Sequence, residues 1–455
     1  MADTTINSGA VADLGGLIEQ REAKIAAAST ERPKYDFNVN KLARSLHPDR
    51  QHFLISAVEE LQAECKCYTL VPDPDEGTDH VAYFAPGQYV TVFVDIDGVP
   101  TTRAYSISSS PRASLDGKLE ITVKNTDGGF VSPWILENWK EGDKVETSGP
   151  LGEFFYISLR DAPTVIALAG GSGITPFLSM ARAIADGDED FNLTILLGSR
   201  TEDQILYKDE FDRIQAATDK IKVVHVLSDE EKDGFEHGFL TAELIEKYAP
   251  AGEPYSVFMC GPQVMYAFAD KELEKLGLIR KYIRRELFGE IFNPQDEPDW
   301  PADAEVPEEV AITVTIKGDS KTVKGSGSDS VMRILEKSGI AVPAKCRSGE
   351  CGWCRSRLIS GEVFMPDALD GRRMADKKYG YIIRASPSRC PISSSKSRRS
   401  NDGSEGNGGV LSSTRRQQLV PRRAPCCIDA SRGFGAAARQ HRGMGEAQPR
   451  YVRGS

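Results

Sequence analysis

A chain of 455 residues, 40% hydrophobic and 27% charged, has the composition of a soluble globular protein and room for about three domains of ~150 residues each. Its 67 acidic and 56 basic residues give a net charge of −11. The excess is uneven: residues 383–455 hold 14 basic and 4 acidic groups, leaving 42 basic against 63 acidic in the body. So acidic a body argues against nucleic acid as a partner and suits either plain solubility or a partner with a basic docking face. No stretch approaches the ~18 apolar residues of a membrane span, and the N-terminus lacks the basic start and apolar core of a signal peptide, so a cytoplasmic location is expected.

Residues 1–50 predict a helix over Ala12–Ala28, then polar, irregular sequence with no evident chemistry. Residues 51–157 change character. Short β-branched runs, Tyr89–Val94 and Leu119–Val123, are bounded by the turn signals Pro86-Gly87 and Asp97-Gly98, which predicts a closed antiparallel barrel. Two patterns within it suit a ligand. In Arg103-Ala104-Tyr105-Ser106 a cation, an aromatic and a hydroxyl can meet a phosphate, a flat ring and a ring nitrogen. Gly128-Gly129-Phe130-Val131-Ser132 opens a helix at Pro133 and offers N–H groups to a second anionic charge. Each pattern also fits an ordinary half-exposed strand or turn.

Residues 158–290 alternate strands with helices. Thr164–Ala169, Leu193–Leu197, Ile221–Leu227 and Tyr255–Met259 are strands; helices run to Ala185 and over Tyr207–Ala217 and Ala242–Tyr248. This order predicts a doubly wound parallel sheet. Ligands bind such sheets beyond the carboxyl ends of the strands. Gly170-Gly171-Ser172-Gly173-Ile174-Thr175-Pro176 sits at one such end and lets a pyrophosphate approach the backbone, although it is not Gly-x-Gly-x-x-Gly. Cys260-Gly261-Pro262 sits at another, where the thiol either touches a bound ring or is a small buried residue before a turn. Arg200, after a third strand, suits a 2′-phosphate, an adenine ring or a surface pair with Glu202, so NADH and NADPH both stay open. Residues 291–308, with four prolines and many acids, read as a linker.

Residues 309–382 predict an α+β domain of β-grasp order. Val310–Lys317 and Lys321–Val323 form a hairpin, and Ser330–Glu336 a short helix capped by Ser328 or Asp329; a cysteine loop and the strand Arg355–Ile359 follow. Cys346, Cys351 and Cys354 stand at Cys-x4-Cys-x2-Cys spacing, which suits a plant-type [2Fe–2S] cluster, and glycines let backbone N–H groups approach its sulfides. Three buried thiols and a structural zinc site are the alternatives; zinc would want paired Cys-x2-Cys units or histidines, and no histidine lies between Cys346 and Cys390. Cys65, Cys67, Cys426 and Cys427 call for no functional reading. Residues 383–455, rich in Arg, Ser, Ala, Gly and Pro without apolar period, are expected to be disordered.

The order of these motifs, with Gly149-Pro150-Leu151-Gly152 among them, resembles the ferredoxin–NADP reductase superfamily over residues 51–382. With the cysteine loop C-terminal, it resembles the reductase components of multicomponent oxygenases and the NADH reductases of hybrid-cluster proteins. The resemblance implies FAD in preference to FMN. Arg103 would pair with a flavin phosphate, Tyr105 pack on the isoalloxazine, and Ser106 lie near the nitrogen that takes hydride. Gly129, Val131 and Ser132 would bind the pyrophosphate. Gly170, Gly171, Gly173 and Thr175 would hold the nicotinamide dinucleotide, with Cys260 and Gly261 near the nicotinamide. Glu286 or Phe288 would stand beside the flavin. Electrons would then pass from NAD(P)H through FAD and the cluster to a separate redox protein of oxygenase or hybrid-cluster type. Two other readings stay open: a diaphorase or flavin reductase with a defective cluster, and an electron-transfer subunit of a larger flavoenzyme.

The chain departs from this pattern after Ile382. A fourth cysteine ligand is required, and the next one, Cys390, follows Cys354 after 35 residues, later than in relatives. Back-translating Ile382–Ser397 and reading each third base with the next two permits His-Pro-Cys-Val-Ala-Phe-Pro-Leu-Ser-Asp-Leu-Glu-Leu-Glu-Val. That puts a cysteine where Ala385 stands and supplies a closing strand. A shifted reading frame and a natural basic tail are thus the two origins open for residues 383–455.

Overall fold

The computed structural model describes residues 8–27, 37–62, 64–126, 128–287, 294–297, 299–316, 318–349, 351–367, 370–384 and 426–429. The chain divides into two compact units, Met1–His47 and Pro48–Ser455. The first unit holds α1 (Ser8–Ala27), which contains most of the expected helix, and α2 (Asn38–Leu46), where irregular sequence was expected. Val39, Leu42 and Leu46 recur at helical spacing on α2, and all three are exposed.

The second unit begins with a six-stranded antiparallel sheet of β1 (Gln51–Leu61), β2 (Cys65–Pro72), β3 (Tyr89–Ile96), β4 (Val99–Ser106), β5 (Leu119–Lys124) and β6 (Lys144–Thr147). Their order is β4-β3-β6-β1-β2-β5, and an Ile107–Ile121 bridge joins the two ends into a barrel. Phe53, Tyr68, Val90, Val92, Ile121 and Trp139 fill it. The short helices α3 (Pro111–Leu115) and α4 (Ser132–Asn138) lie between its strands in sequence.

A parallel sheet follows: β7 (Thr164–Gly170), β8 (Asn192–Ser199), β9 (Ile221–Leu227), β10 (Glu236–His237), β11 (Tyr255–Cys260) and β12 (Ile283–Glu286), in the order β10-β9-β8-β7-β11-β12. Its helices are α5 (Thr175–Ala185), α6 (Lys208–Ala217), α7 (Ala242–Tyr248) and α8 (Gln263–Lys275). Every residue of β7 is buried, as a central strand covered on both faces requires, which is why it reads as an unbroken apolar run. At the sheet edge β12 is pinned by buried Arg284, which bonds Asp161 at 2.7 Å and the Glu153 carbonyl.

The third sheet is mixed. It contains β13 (Val310–Ile316), β14 (Asp319–Gly325), β15 (Arg355–Ser360), β16 (Tyr381–Ile383) and β17 (Cys426–Asp429), in the order β14-β13-β17-β15-β16, with α9 (Val331–Lys337) and α10 (Met374–Lys378). The cap of α9 is Ser330, whose hydroxyl accepts from the Arg333 N–H; the expected caps were Ser328 or Asp329, and Asp329 instead pairs with Arg333 and Lys337. The tail was expected to be disordered; beyond Arg384 its described residues are Cys426–Asp429, which form a strand. Cys426–Asp429 runs parallel to β13 and antiparallel to β15, filling the slot between them. An empty slot would leave two strand edges unpaired, and Ile428, 1% exposed, also completes the core with Val314, Leu335 and Ile382.

Candidate functional site

The barrel's contribution is β4. Its register against β3 sets Arg103 opposite Val92, Tyr105 opposite Val90 and Ser106 opposite Tyr89. Ser106 is buried, Tyr105 half-buried, and Arg103 keeps a partly exposed guanidinium that donates to the Thr102 carbonyl at 2.7 Å. Beside the Tyr89 ring lies Gly152, with φ +96°; a Cβ there would stand 2.9 Å from the ring and 3.9 Å from Glu286 Oε2. The Gly149–Gly152 turn therefore links the Tyr89–Ser106 pair to the carboxylate at the end of β12.

The parallel sheet brings its own residues to the same end. Cys260, the last residue of β11, stands in register with Glu286, the last of β12. Both are buried; desolvation pushes the Cys260 thiol well up, and the Glu286 charge adds to it. The glycine loop after β7 packs directly on the loop after β11. A Cβ on Gly173 would sit 2.1 Å from the Cys260 carbonyl oxygen, and one on Gly170 would sit 2.7 Å from the Pro262 ring. Gly261 is equally confined, against Met265. Thr175 opens α5 with its hydroxyl donating to the Ser172 carbonyl at 3.0 Å. A residue missed by sequence reading lies here: Lys124, at the end of β5, brings Nζ within 3.5 Å of a Cβ placed on Gly171. Only the approach of the barrel to this loop reveals it, since a strand-end lysine has no sequence signal.

The second glycine turn is tight. The Gly129 N–H donates to the Thr126 carbonyl at 2.7 Å, and a Cβ would strike that oxygen. Val131 is buried and Ser132 begins α4. Arg200 donates through Nε to Asp229 at 2.8 Å; Glu202, the surface partner in one of the three readings of Arg200, pairs with Lys232 instead, because the β8 and β9 ends lie side by side and bring residue 229 to residue 200. Phe288 lies outside the described residues.

In the cysteine loop, Cys346 and Cys351 bring their sulfurs within 3.2 Å, and the Cys351 N–H donates to Cys346 Sγ at 3.4 Å. The Cys351 thiol hydrogen bond pulls Cys346 down, and the same bond with burial pushes Cys351 up. Cys354 is buried, with its carbonyl accepting from Arg384 Nε at 2.8 Å. Arg347, Gly349 and Gly352 all have positive φ, which curls the loop around its sulfurs. Among the described residues no set of three or more His, Cys, Asp and Glu side chains is already arranged around one metal point. Three of the four thiols that a [2Fe–2S] cluster requires nevertheless share this loop, and as donors they fit it. Cys390 and Ala385 lie outside the described residues.

Comparison with known proteins agrees with this arrangement. Residues 52–156 match the oxidoreductase FAD-binding domain, 167–271 the oxidoreductase NAD-binding domain and 314–385 the 2Fe-2S iron-sulfur cluster binding domain. The chain is 31% identical over 313 residues to the glycine betaine monooxygenase reductase subunit of Pseudomonas aeruginosa, covering 66% of this chain and 84% of that one. It is 29% identical over 338 residues to the ferredoxin reductase component of the 3-ketosteroid-9-alpha-monooxygenase of Rhodococcus rhodochrous, covering 72% and 91%. The structure of phthalate dioxygenase reductase, described as modular for electron transfer from pyridine nucleotides to [2Fe–2S], superposes with a TM-score of 0.53 at 25% identity over 75% of this chain and 95% of that one. With its FAD, nicotinamide and [2Fe–2S] domains in that order, the chain belongs to the flavin- and iron–sulfur-dependent reductases that serve as components of oxygenases.

Proposed function

We propose that this protein is a cytoplasmic NADH-dependent reductase that supplies single electrons to a separate redox partner, an oxygenase before a hybrid-cluster protein. The observation that supports the site assignment is a series of neighbours: Ser106 on β4 pairs with Tyr89, the Tyr89 ring lies against Gly152, Gly152 lies near Glu286 at the end of β12, and Glu286 is in register with Cys260 at the end of β11. Bound FAD supplies hydride acceptance and a [2Fe–2S] cluster supplies one-electron relay.

The chain's own residues bind and orient. Arg103 neutralises a flavin phosphate, and Gly129, Val131 and Ser132 give the pyrophosphate a close backbone. Tyr105 packs on the flavin ring, and Ser106 offers a hydroxyl to the ring nitrogen. Gly170, Gly171, Gly173 and Thr175, with Lys124 opposite, hold the dinucleotide phosphates. Cys260 and Gly261 wall the nicotinamide pocket and keep water from it, and Glu286 stands beside the flavin. Cys346, Cys351 and Cys354 hold the cluster, with Cys390 as fourth thiol. The domains follow the bounds 51–157, 158–290 and 309–382, joined by 291–308.

NADH is favoured because Asp229 already occupies Arg200 at the strand end where the adenosine ribose lies in such sheets. A 2′-phosphate would have to displace that carboxylate and remain beside it. The reading is tested by isolating the folded protein, measuring flavin per chain and mixing it anaerobically with NADH. One flavin per chain that bleaches on mixing is expected; folded protein without flavin contradicts it. A second reading, a nicotinamide–flavin diaphorase with an incomplete cluster, is favoured by the long Cys354–Cys390 interval and is distinguished by iron content.

A further inference from the structure

The cysteine loop and the flavin-side strand are joined by a buried ion pair. Glu336, on α9, and Arg347, the residue after Cys346, make two bonds of 2.7 Å each, with side chains 1% and 2% exposed. Such a pair is buried at a cost, and the cost is offset only where its remaining hydrogen-bonding capacity is met. Here the barrel meets it. The Thr101 hydroxyl donates to Glu336 Oε1 at 3.0 Å, and Arg347 Nη1 donates to the Thr102 carbonyl at 3.2 Å. The Thr102 hydroxyl donates to the Ala344 carbonyl at 3.3 Å, and Arg103 lies 3.8 Å from Glu336 Oε2. Arg333 adds a bond to the Gly128 carbonyl at 2.7 Å. These barrel contacts of the pair fall on Thr101, Thr102 and Arg103, just before Tyr105 and Ser106 on the same strand.

We infer that Glu336 and Arg347 form a docking latch whose keyhole is Thr101–Thr102, positioning the cysteine loop in one register on β4. The latch acts through specificity. A docked pose that lacked the Thr101 hydroxyl and the Thr102 carbonyl would bury an ion pair with unmet bonds, so displaced poses are penalised more than the correct pose is favoured. The two residues are positioning residues; neither touches a reacting atom. The inference stands on protein contacts alone, so it survives or fails independently of the flavin, coenzyme and fourth-ligand assignments.

The test is hydrogen exchange on the full chain, comparing wild type with Thr101→Val, which keeps shape and removes the hydroxyl, and Thr101→Ser, which restores it. In Thr101→Val, exchange in the facing segments 99–106 and 341–348 should rise by about ten-fold or more, as for loss of a hydrogen bond to a charged group. Segments 51–72 and 164–170 should stay at wild-type protection, and Thr101→Ser should return the facing segments to it. Glu336→Gln approaches the same contact from the other side and serves if Thr101→Val does not fold. Unchanged exchange in the facing segments overturns the latch. So does a rise spread evenly over the barrel, or a rise that Thr101→Ser fails to reverse.

Discussion

Gly173 shows how much of the site is decided by single atoms. Its missing Cβ is what lets the loop after β7 lie on the Cys260 carbonyl. Gly173→Ala should cost ~1–3 kcal/mol as an overpacking change and raise the KM for NADH while flavin content holds, measurable by thermal unfolding and dye-coupled kinetics. The Arg200–Asp229 pair makes an opposite kind of prediction. Asp229→Asn removes a like charge from the ribose end and should improve kcat/KM for NADPH relative to NADH about ten-fold, with Arg200→Ala abolishing that gain. A pH effect follows from Asp370. Burial would raise its carboxyl, but Arg372 and Lys377 hold it at about 2. A folded-state value below the unfolded ~3.9 means that its stabilisation is complete above about pH 4 and is lost as pH falls toward 2. Acid unfolding followed by circular dichroism should therefore be less steep across that window in Asp370→Asn. The strand and loop positions of Arg103, Tyr105, Ser106, Cys260 and the three loop cysteines were legible in the sequence because short motifs at strand ends and in glycine loops leave local patterns. Lys124 and Asp229 were not, since each meets the site only through the neighbour that the tertiary fold provides.

The same division holds for whole elements. β7 and the helix after it were readable because a buried apolar run, a glycine loop and Pro176 in the first helical turn all point one way. β17 was invisible: four residues in an Arg- and Ala-rich tail have no period, and they form a strand only because β13 and β15 leave a slot between them. From this strand Ile428 reaches the core. Ile428→Ala should destabilise the ferredoxin-type domain by ~2–4 kcal/mol and leave the flavin domain's transition in place, as read by denaturant unfolding with flavin fluorescence as the second probe. An unchanged transition of the ferredoxin-type domain would mean that the tail strand adds nothing to the fold.

Across the whole molecule, the three sheets arrange a route. The barrel approaches the parallel sheet where Tyr89 on β3 and Gly152 lie beside Glu286, and meets the cysteine loop at Thr101 and Thr102 on β4, so two paired strands, β3 and β4, serve the two neighbours. That economy is why the domain order was legible from motif order, whereas the docking of the third domain was not: its contacts are a buried pair and two threonines, with no pattern along the chain. Among the described residues no helix is long and apolar enough to cross a membrane. The acidic body suits a partner with a basic face, and association should weaken as salt is raised.

The most direct test of electron passage through this chain is low-temperature EPR after anaerobic iron–sulfide reconstitution and reduction with excess NADH, with iron counted on the same sample. Two irons per chain and the signal of a reduced [2Fe–2S] centre are expected, with the signal lost in Cys390→Ser. A bleached flavin with fewer than two irons per chain and no such signal would contradict it and leave a nicotinamide–flavin diaphorase.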